Sequence, residues 1–271
     1  MTIIANNQDR NICQTCGTRY AGNVPEICTI CADDRQYVLP TGQKWISYDE
    51  VKTGRSIRFN HLLSNLYDLR ITPPFAIGQK AHLICTPGGN LLWDCIPFID
   101  EPTVAFIKSL GGLKGIAISH PHYYSLMAVW ADIFDCPIYL HEGDKQWIMD
   151  ESPKIELWQG QKKVLWDGME IIHTAGHFPG STVLHVPGIG INGSLFVGDS
   201  LYVAVDRKFI SMMYSYPNAI PLPQKAILQI SDRVSPLKFD AMYGAFEWQN
   251  IENGAREMFT RSVSRYLEIF K

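Results

Sequence analysis

Four of the seven cysteines stand in two tight pairs, Cys13-x-x-Cys16 and Cys28-x-x-Cys31, near the start of a 271-residue chain. Each pair forms a knuckle that aims two thiolates at one point, and two knuckles complete the tetrahedral sulfur set of a structural zinc. The stretch between them is shorter than in most zinc ribbons, and its Gly22 and Pro25 suit a compact turn. Four sulfur ligands leave no open coordination position, so such a metal would fold this segment and leave catalysis elsewhere. The odd cysteine count and the polar stretch 1–11, with no apolar leader, argue against a disulfide framework, and a cytoplasmic location is expected. Cys85, Cys95 and Cys136 lie in apolar surroundings and read as buried small hydrophobes.

The composition changes near Thr41-Gly42, which divides a zinc-ribbon-like segment, 1–41, from a larger domain, 42–271. In the larger part, 81–85 and 91–96 read as strands joined by the turn Thr86-Pro87-Gly88-Gly89-Asn90. A helix is expected over 101–110, stopped by Gly111-Gly112, followed by a strand at 115–119, a helix at 125–134 and a strand at 137–140. Strand-like runs follow at 169–173, 182–186 and 195–197, and helical apolar faces at 226–234 and 252–270. Strands interleaved with helices imply an α/β (α+β) fold with helices layered on sheet.

With 46% hydrophobic and 19% charged residues the chain has a globular composition. Its 24 Lys+Arg against 27 Asp+Glu give a net charge of -3, so no global positive field favours nucleic acid. No apolar run approaches the roughly 20 residues of a membrane span. The expected partner is therefore a small-molecule substrate, with no nucleic acid and no membrane; the aromatic content permits an oligomer interface.

The second chemical signal is dispersed. Ile118-Ser119-His120-Pro121-His122 places two imidazoles just past a strand, and side chains two apart on extended backbone share a face. Much later come Gly176-His177-Phe178-Pro179-Gly180-Ser181 and Gly198-Asp199-Ser200. Three imidazoles and one carboxylate suffice for a metal site. In the order and spacing of these motifs, from about Gly78 to the C-terminus, the sequence resembles the metallo-β-lactamase superfamily. The resemblance implies a four-layer αββα sandwich with a metal site at one edge of its two sheets.

The resemblance breaks at the second metal. The superfamily's first signature, His-x-His-x-Asp-His, here carries Tyr124 and Ser125 in its last two places, and Met242-Tyr243-Gly244-Ala245-Phe246-Glu247 occupies the neighbourhood of its last histidine. A mononuclear site of His120, His122, His177 and Asp199, holding one divalent zinc or iron, is the expectation. With zinc, a bound water is acidified toward neutrality and Asp199 serves as ligand or orients that water, giving hydrolysis of a small ester, thioester or lactone. With iron, the site resembles that of the persulfide dioxygenases, which usually keep the missing Asp-His half of the signature. A third reading is a degenerate metal-binding or interaction module. Tyr123, Tyr124 and Glu247 are candidate catalytic replacements, as hydrogen-bond donor or base; for both tyrosines, filling vacated volume is the competing reading. His141 and His173, near strand ends, are candidates to support the ligands. Gly188-x-Gly190-x-x-Gly193 leads into a strand and reads as a turn, with no helix N-terminus for a pyrophosphate.

Overall fold

Alternation of period two along the central strands distributes the apolar residues among separate cores, and that distribution sets the architecture. The computed structural model describes residues 8–271; the polar stretch read at the N-terminus lies partly outside the described residues. The chain begins with a short ribbon of β1 (Ile12–Cys13) and β2 (Trp45–Ile46), followed by the one-and-a-half-turn helix α1 (Tyr48–Lys52). A seven-stranded sheet follows in sequential order: β3 (Ser56–Leu63), β4 (Leu66–Thr72), β5 (Ala81–Ile84), β6 (Leu91–Trp93), β7 (Gly115–Ala117), β8 (Ile138–His141) and β9 (Ile155–Trp158). It is antiparallel from β3 to β6 and parallel from β6 to β9. The parallel crossovers contain α2 (Glu101–Ser109) and α3 (Met127–Phe134). Asp100 caps α2 by accepting from the Thr103 amide at 2.9 Å.

The second sheet has five strands, β10 (Lys162–Val164), β11 (Glu170–His173), β12 (Thr182–Val186) and β13 (Ser194–Phe196), closed by a later parallel strand. After β13 come two ribbons, β14 (Tyr202–Val203) with β15 (Ile210–Ser211) and β16 (Met213–Ser215) with β17 (Ile220–Pro221). Then α4 (Gln224–Val234) leads to the closing strand β18 (Ala241–Tyr243) and α5 (Ala255–Ile269).

Neighbouring residues face different layers. Ile84, Leu91 and Trp93 point between the sheets, where Leu184, Phe196 and Tyr243 meet them. Leu83 and Leu92 point the other way, onto the helices of the first sheet, and Val183, Leu195 and Met242 point onto α4 and α5. Strands buried on both faces need apolar residues in both phases, which is why β6, Leu-Leu-Trp, and β13, Ser-Leu-Phe, lack polar alternation. Each fully buried Leu or Phe contributes about 1.5–3 kcal/mol against leaving it in water. The result is helix, sheet, sheet, helix: the expected four-layer sandwich.

The turn expected at 86–90 joins β5 to β6 in antiparallel register, with Ile84 opposite Leu91. The β3–β4 hairpin had no counterpart in the sequence reading. Its β3 strand runs Ser-Ile-Arg-Phe-Asn-His-Leu-Leu with mostly partial exposure, a weaker apolar signal than the central strands give. The four-cysteine segment packs on the helical side of the first sheet, where its sulfurs join the first core beside Tyr20 and Ile30. Among the described residues no helix is long and apolar enough to cross a membrane.

Candidate metal centre

The four cysteine sulfurs are buried together, with Cys13 and Cys31 3.7 Å apart and Cys16 and Cys28 also 3.7 Å apart. Zinc–sulfur bonds of about 2.3 Å give a tetrahedral edge of about 3.8 Å, so the sulfurs fit such an ion. Hydrogen bonds reach two of them from Gln43 Nε2 (to Cys13, 3.2 Å) and Tyr20 Oη (to Cys28, 3.5 Å). Hydrogen bonding from Cys16, Cys28 and Cys31 holds the Cys13 thiol far below its ordinary value, whereas burial pushes Cys16 up. These four, with no open position, form a site separate from the histidines.

The second group gathers at one edge of the sandwich, where three chain segments leave strands. Ser119 follows β7, and its amide donates to Asp94 Oδ1 at 2.8 Å. Its carbonyl accepts from the Thr182 amide of β12 at 2.9 Å, stitching the two sheets. His120 is extended (φ -170°), and Pro121–Tyr123 then form a 3-10 turn that brings His122 back beside it. His177 stands in the loop from β11 to β12, where Ala175 and Gly176 both take positive φ and the Phe178 amide donates to Ser181 Oγ at 2.8 Å. Asp199 follows β13 through Gly198 at φ +50°, whose Cβ, if it had one, would lie 2.3 Å from Ser119 Oγ. Only glycine lets these two strand ends approach so closely.

Asp199 Oδ2 is the point of convergence, 3.3 Å from His120 Nε2, 3.7 Å from His122 Nδ1 and 3.8 Å from His177 Nε2. All four residues are buried, and their ligand atoms lie within 4.8 Å of one another. His177 Nδ1 sits 3.2 Å from the Met213 carbonyl and His120 Nδ1 2.9 Å from Ser119 Oγ. Donation from Nδ1 to that carbonyl fixes the His177 tautomer with its Nε2 lone pair free. The Nε2 atoms of His120 and His177 are buried without a hydrogen-bond partner. Burial holds His120 down to about 4, against the pull of Asp199, and burial with the two neighbouring imidazoles holds His177 well below its ordinary value. Burial opposes the Asp199 charge, yet His120, His122 and His177 keep the carboxyl well below the usual range. Two imidazoles held neutral, a third beside them and an ionised carboxylate, with buried lone pairs otherwise unused, are a donor set that fits a divalent cation.

The other carboxylate oxygen is committed. Tyr123 Oη donates to Asp199 Oδ1 at 2.6 Å, and Tyr216 Oη donates to the Asp199 carbonyl at 2.9 Å. This corrects the expectation for Tyr124. Both side chains are buried in the first core, but successive residues in a 3-10 turn point about 120° apart, so the Tyr123 hydroxyl reaches Asp199 while Tyr124 points away, and burial and Asp144 push the Tyr124 phenol well above its ordinary value. Glu247 is likewise outside: its side chain is 71% exposed and pairs with Arg70 at 2.7 Å, so it does not join the metal group as a base. His141 and His173 stack on each other at 3.7 Å. His173 Nε2 lies 2.7 Å from the Pro179 carbonyl, so it supports the His177 loop through its backbone and not through a ligand ring.

Sequence reasoning missed what the four-cysteine segment brings to this site. Arg35, only four residues past Cys31, is 8% exposed and donates Nη1 to the His177 carbonyl at 3.0 Å. Its guanidinium lies 3.8 Å from the Phe178 ring centroid and is held by both oxygens of Asp33, at 2.5 and 2.6 Å. The Asp34 carbonyl accepts from Ser215 Oγ and Asn218 Nδ2, tying the segment to β16 and the turn after it. The only sequence signal is the charged run Asp33-Asp34-Arg35 after the second knuckle, which names no partner. A cavity of about 360 Å³ opens onto His122 and Asp199, with Thr15, Gln36 and Tyr37 on one side and Tyr202, Tyr216 and Phe246 on the other. A wider groove of about 830 Å³ between β11 and α4 includes no metal-group residue in its lining.

No family model matches the chain. The uncharacterized protein YmaE of Bacillus subtilis (strain 168) is 42% identical over 262 residues, spanning 95% of each chain. The chain belongs to the family of YmaE. That relation covers the four-cysteine segment and the sandwich together. Among solved structures, the metallo-β-lactamase DIM-1 is 16% identical with a TM-score of 0.55, over 77% of this chain and 96% of that one. The mono-zinc form of the metallo-β-lactamase FIM-1 from Pseudomonas aeruginosa is 11% identical with a TM-score of 0.55, over 78% and 96%. A B3 metallo-β-lactamase with an active-site glutamic acid is 18% identical with a TM-score of 0.53, over 78% and 88%. This YmaE relative therefore has the metallo-β-lactamase fold, with two groups of side chains suited to metal.

Proposed function

We propose that the protein is a metal-dependent hydrolase whose histidine site works with a single ion, zinc in the first instance, on a small ester, thioester or lactone. The observation that carries this reading is the commitment of Asp199 Oδ1 to Tyr123, which leaves Oδ2 alone facing the three imidazoles. His120, His122, His177 and Asp199 would hold the ion, which when bound acidifies a water to make a nucleophile and polarises a carbonyl. Tyr123 keeps the carboxylate in one orientation and withdraws part of its charge. The Met213 carbonyl keeps the His177 ring turned toward Asp199, and Arg35 fixes the backbone of that histidine. Phe178, packed against both His120 and His122, shields the inner side of the cluster from water. A mono-zinc form of FIM-1 is a precedent for one ion on this fold. Localisation in the cytoplasm remains part of the proposal.

Elemental analysis tests the metal assignment on protein purified without added metal. Two zinc ions are expected, one lost in His177→Ala and the other in Cys28→Ser. On a panel of neutral esters, thioesters and lactones, His120→Ala and Asp199→Ala lose more than about a hundredfold in turnover. Iron in place of the histidine-site zinc, with oxygen uptake on a thiol-derived substrate, would replace hydrolysis by oxygenation. A metal-free histidine site in the wild type would end the enzyme reading.

A further inference from the structure

The cavity walls carry an unusual balance of charge and aromatic surface. Arg35 is the single Lys or Arg among the described residues that line it; its Nε and Nη2 donate to Asp33 and its Nη1 to the His177 carbonyl, while its face lies on Phe178. Two further cations near Phe246 and Trp248 are also engaged: Arg70 with Glu247, and Arg207 with the Trp248 and Asn250 carbonyls. Among the described residues that line the cavity, the one guanidinium is thus already paired with a carboxylate. Aromatic rings step outward from the histidines instead. Tyr216 lies 5.5 Å from His177, Tyr202 4.6 Å from Tyr216, Phe246 6.0 Å from Tyr202, and Trp248 5.6 Å from Phe246 in a near-parallel stack of 14°. Trp248 remains 41% exposed, and Tyr37 on the opposite wall 51%. Rings that fill a core are covered on both faces; Tyr37, Tyr202, Tyr216 and Phe246 line the cavity, and Trp248, outside that lining, backs Phe246.

We propose, building on the hydrolase reading, that this cavity selects an uncharged substrate with a flat apolar acyl group, such as an arylalkanoyl ester or thioester. A planar group gains stacking and apolar burial along the lining rings Tyr216, Tyr202 and Phe246. A carboxylate on that group, turned away from the histidines, is stripped of water and meets only a guanidinium already paired with Asp33, so it binds poorly. At about 360 Å³ the space suits a ligand of one or two rings, within the usual range of small-molecule sites. Part of the cavity wall comes from the four-cysteine segment, through Thr15, Arg35, Gln36 and Tyr37, which gives that segment a part in recognition.

The test compares the phenyl esters of phenylacetic acid and 4-carboxyphenylacetic acid, with phenyl acetate as the ringless acyl control. The neutral phenylacetyl ester is expected to have at least tenfold higher kcat/KM than either. Phe246→Ala and, because it is exposed and leaves the core intact, Trp248→Ala should erode that preference several-fold, with the loss falling on KM more than on kcat. Calorimetric binding of the matched anilides, which keep the acyl groups and resist turnover, reads the cavity without hydrolysis. Phenylacetanilide binding that weakens in Phe246→Ala, alongside absent turnover of every ester, would support the cavity assignment and sink the hydrolase. Equal or better handling of the carboxylated ester or anilide, or preferences unchanged in both variants, would overturn the proposal.

Discussion

At the scale of single residues, the site turns on which of two adjacent tyrosines faces inward. Tyr123 and Tyr124 are chemically identical in the sequence, and only the 3-10 turn after His120 brings the hydroxyl of one to Asp199 and points the other away. Removing the Tyr123 hydroxyl leaves a buried carboxylate oxygen without its donor, which typically costs about 1–3 kcal/mol. Tyr123→Phe is therefore expected to lower thermal stability and, through a less well held Asp199, to weaken the histidine-site metal by about tenfold or more. Competition with a chromophoric chelator measures the second effect; an affinity equal to the wild type would remove Tyr123 from the metal site's support. Gly198 was visible in the sequence only as part of the Gly-Asp motif; that β13 must there pass close to Ser119 is seen in the structure.

At the scale of elements, the four-cysteine segment is both a candidate metal site and a wall. Its knuckles bury the sulfurs in the first core, and the residues just past Cys31 reach the His177 loop and β16. Cys28→Ser should therefore do more than release one ion. With the second knuckle loosened, Arg35 and Asp33 lose their anchorage, and histidine-site affinity is expected to fall several-fold even though no histidine has changed. Arg35→Ala should reproduce that fall with the cysteine-site metal retained, as read by elemental analysis together with chelator competition. The regular elements were legible because their signals are local: the turn between β5 and β6, the glycine stop after α2, and the apolar faces of α4 and α5. The ribbons from β14 to β17 were not, because strands of two or three residues carry no period long enough to read, yet they deliver Met213 and Tyr216 to the site.

At the scale of the whole molecule, three cores and several buried carboxyls share one free-energy balance. Burial raises Asp94, Asp144 and Asp150 to about 7 each. Asp150 is the plainest of these, since neither oxygen has a hydrogen-bond partner and Arg19 Nε is 3.6 Å away. A carboxyl whose folded value exceeds its unfolded value contributes stability that is fully present below about pH 4 and is lost as pH rises through about 7. Asp150→Asn lacks that loss. Its melting temperature should match or fall below the wild type near pH 4 and exceed it near pH 8, by an amount on the order of 1 kcal/mol or a few degrees. A melting-temperature difference that is constant across this range would show that the Asp150 carboxyl titrates alike in both states.

The sequence by itself determined the parts whose information is local or carried by residue type. Paired cysteines, a His-x-His after a strand, and Gly-His and Gly-Asp at later strand ends mark the sulfur group and the four convergent side chains, and the sandwich is what the resemblance carried by those motifs implies. The tertiary structure decided everything that depends on which distant backbone ends meet. It assigned Tyr123 to Asp199, sent Glu247 outward to Arg70, and brought Arg35 across 142 residues of chain to the His177 carbonyl. Those outcomes depend on side-chain direction and strand-end geometry, to which spacing along the chain is blind.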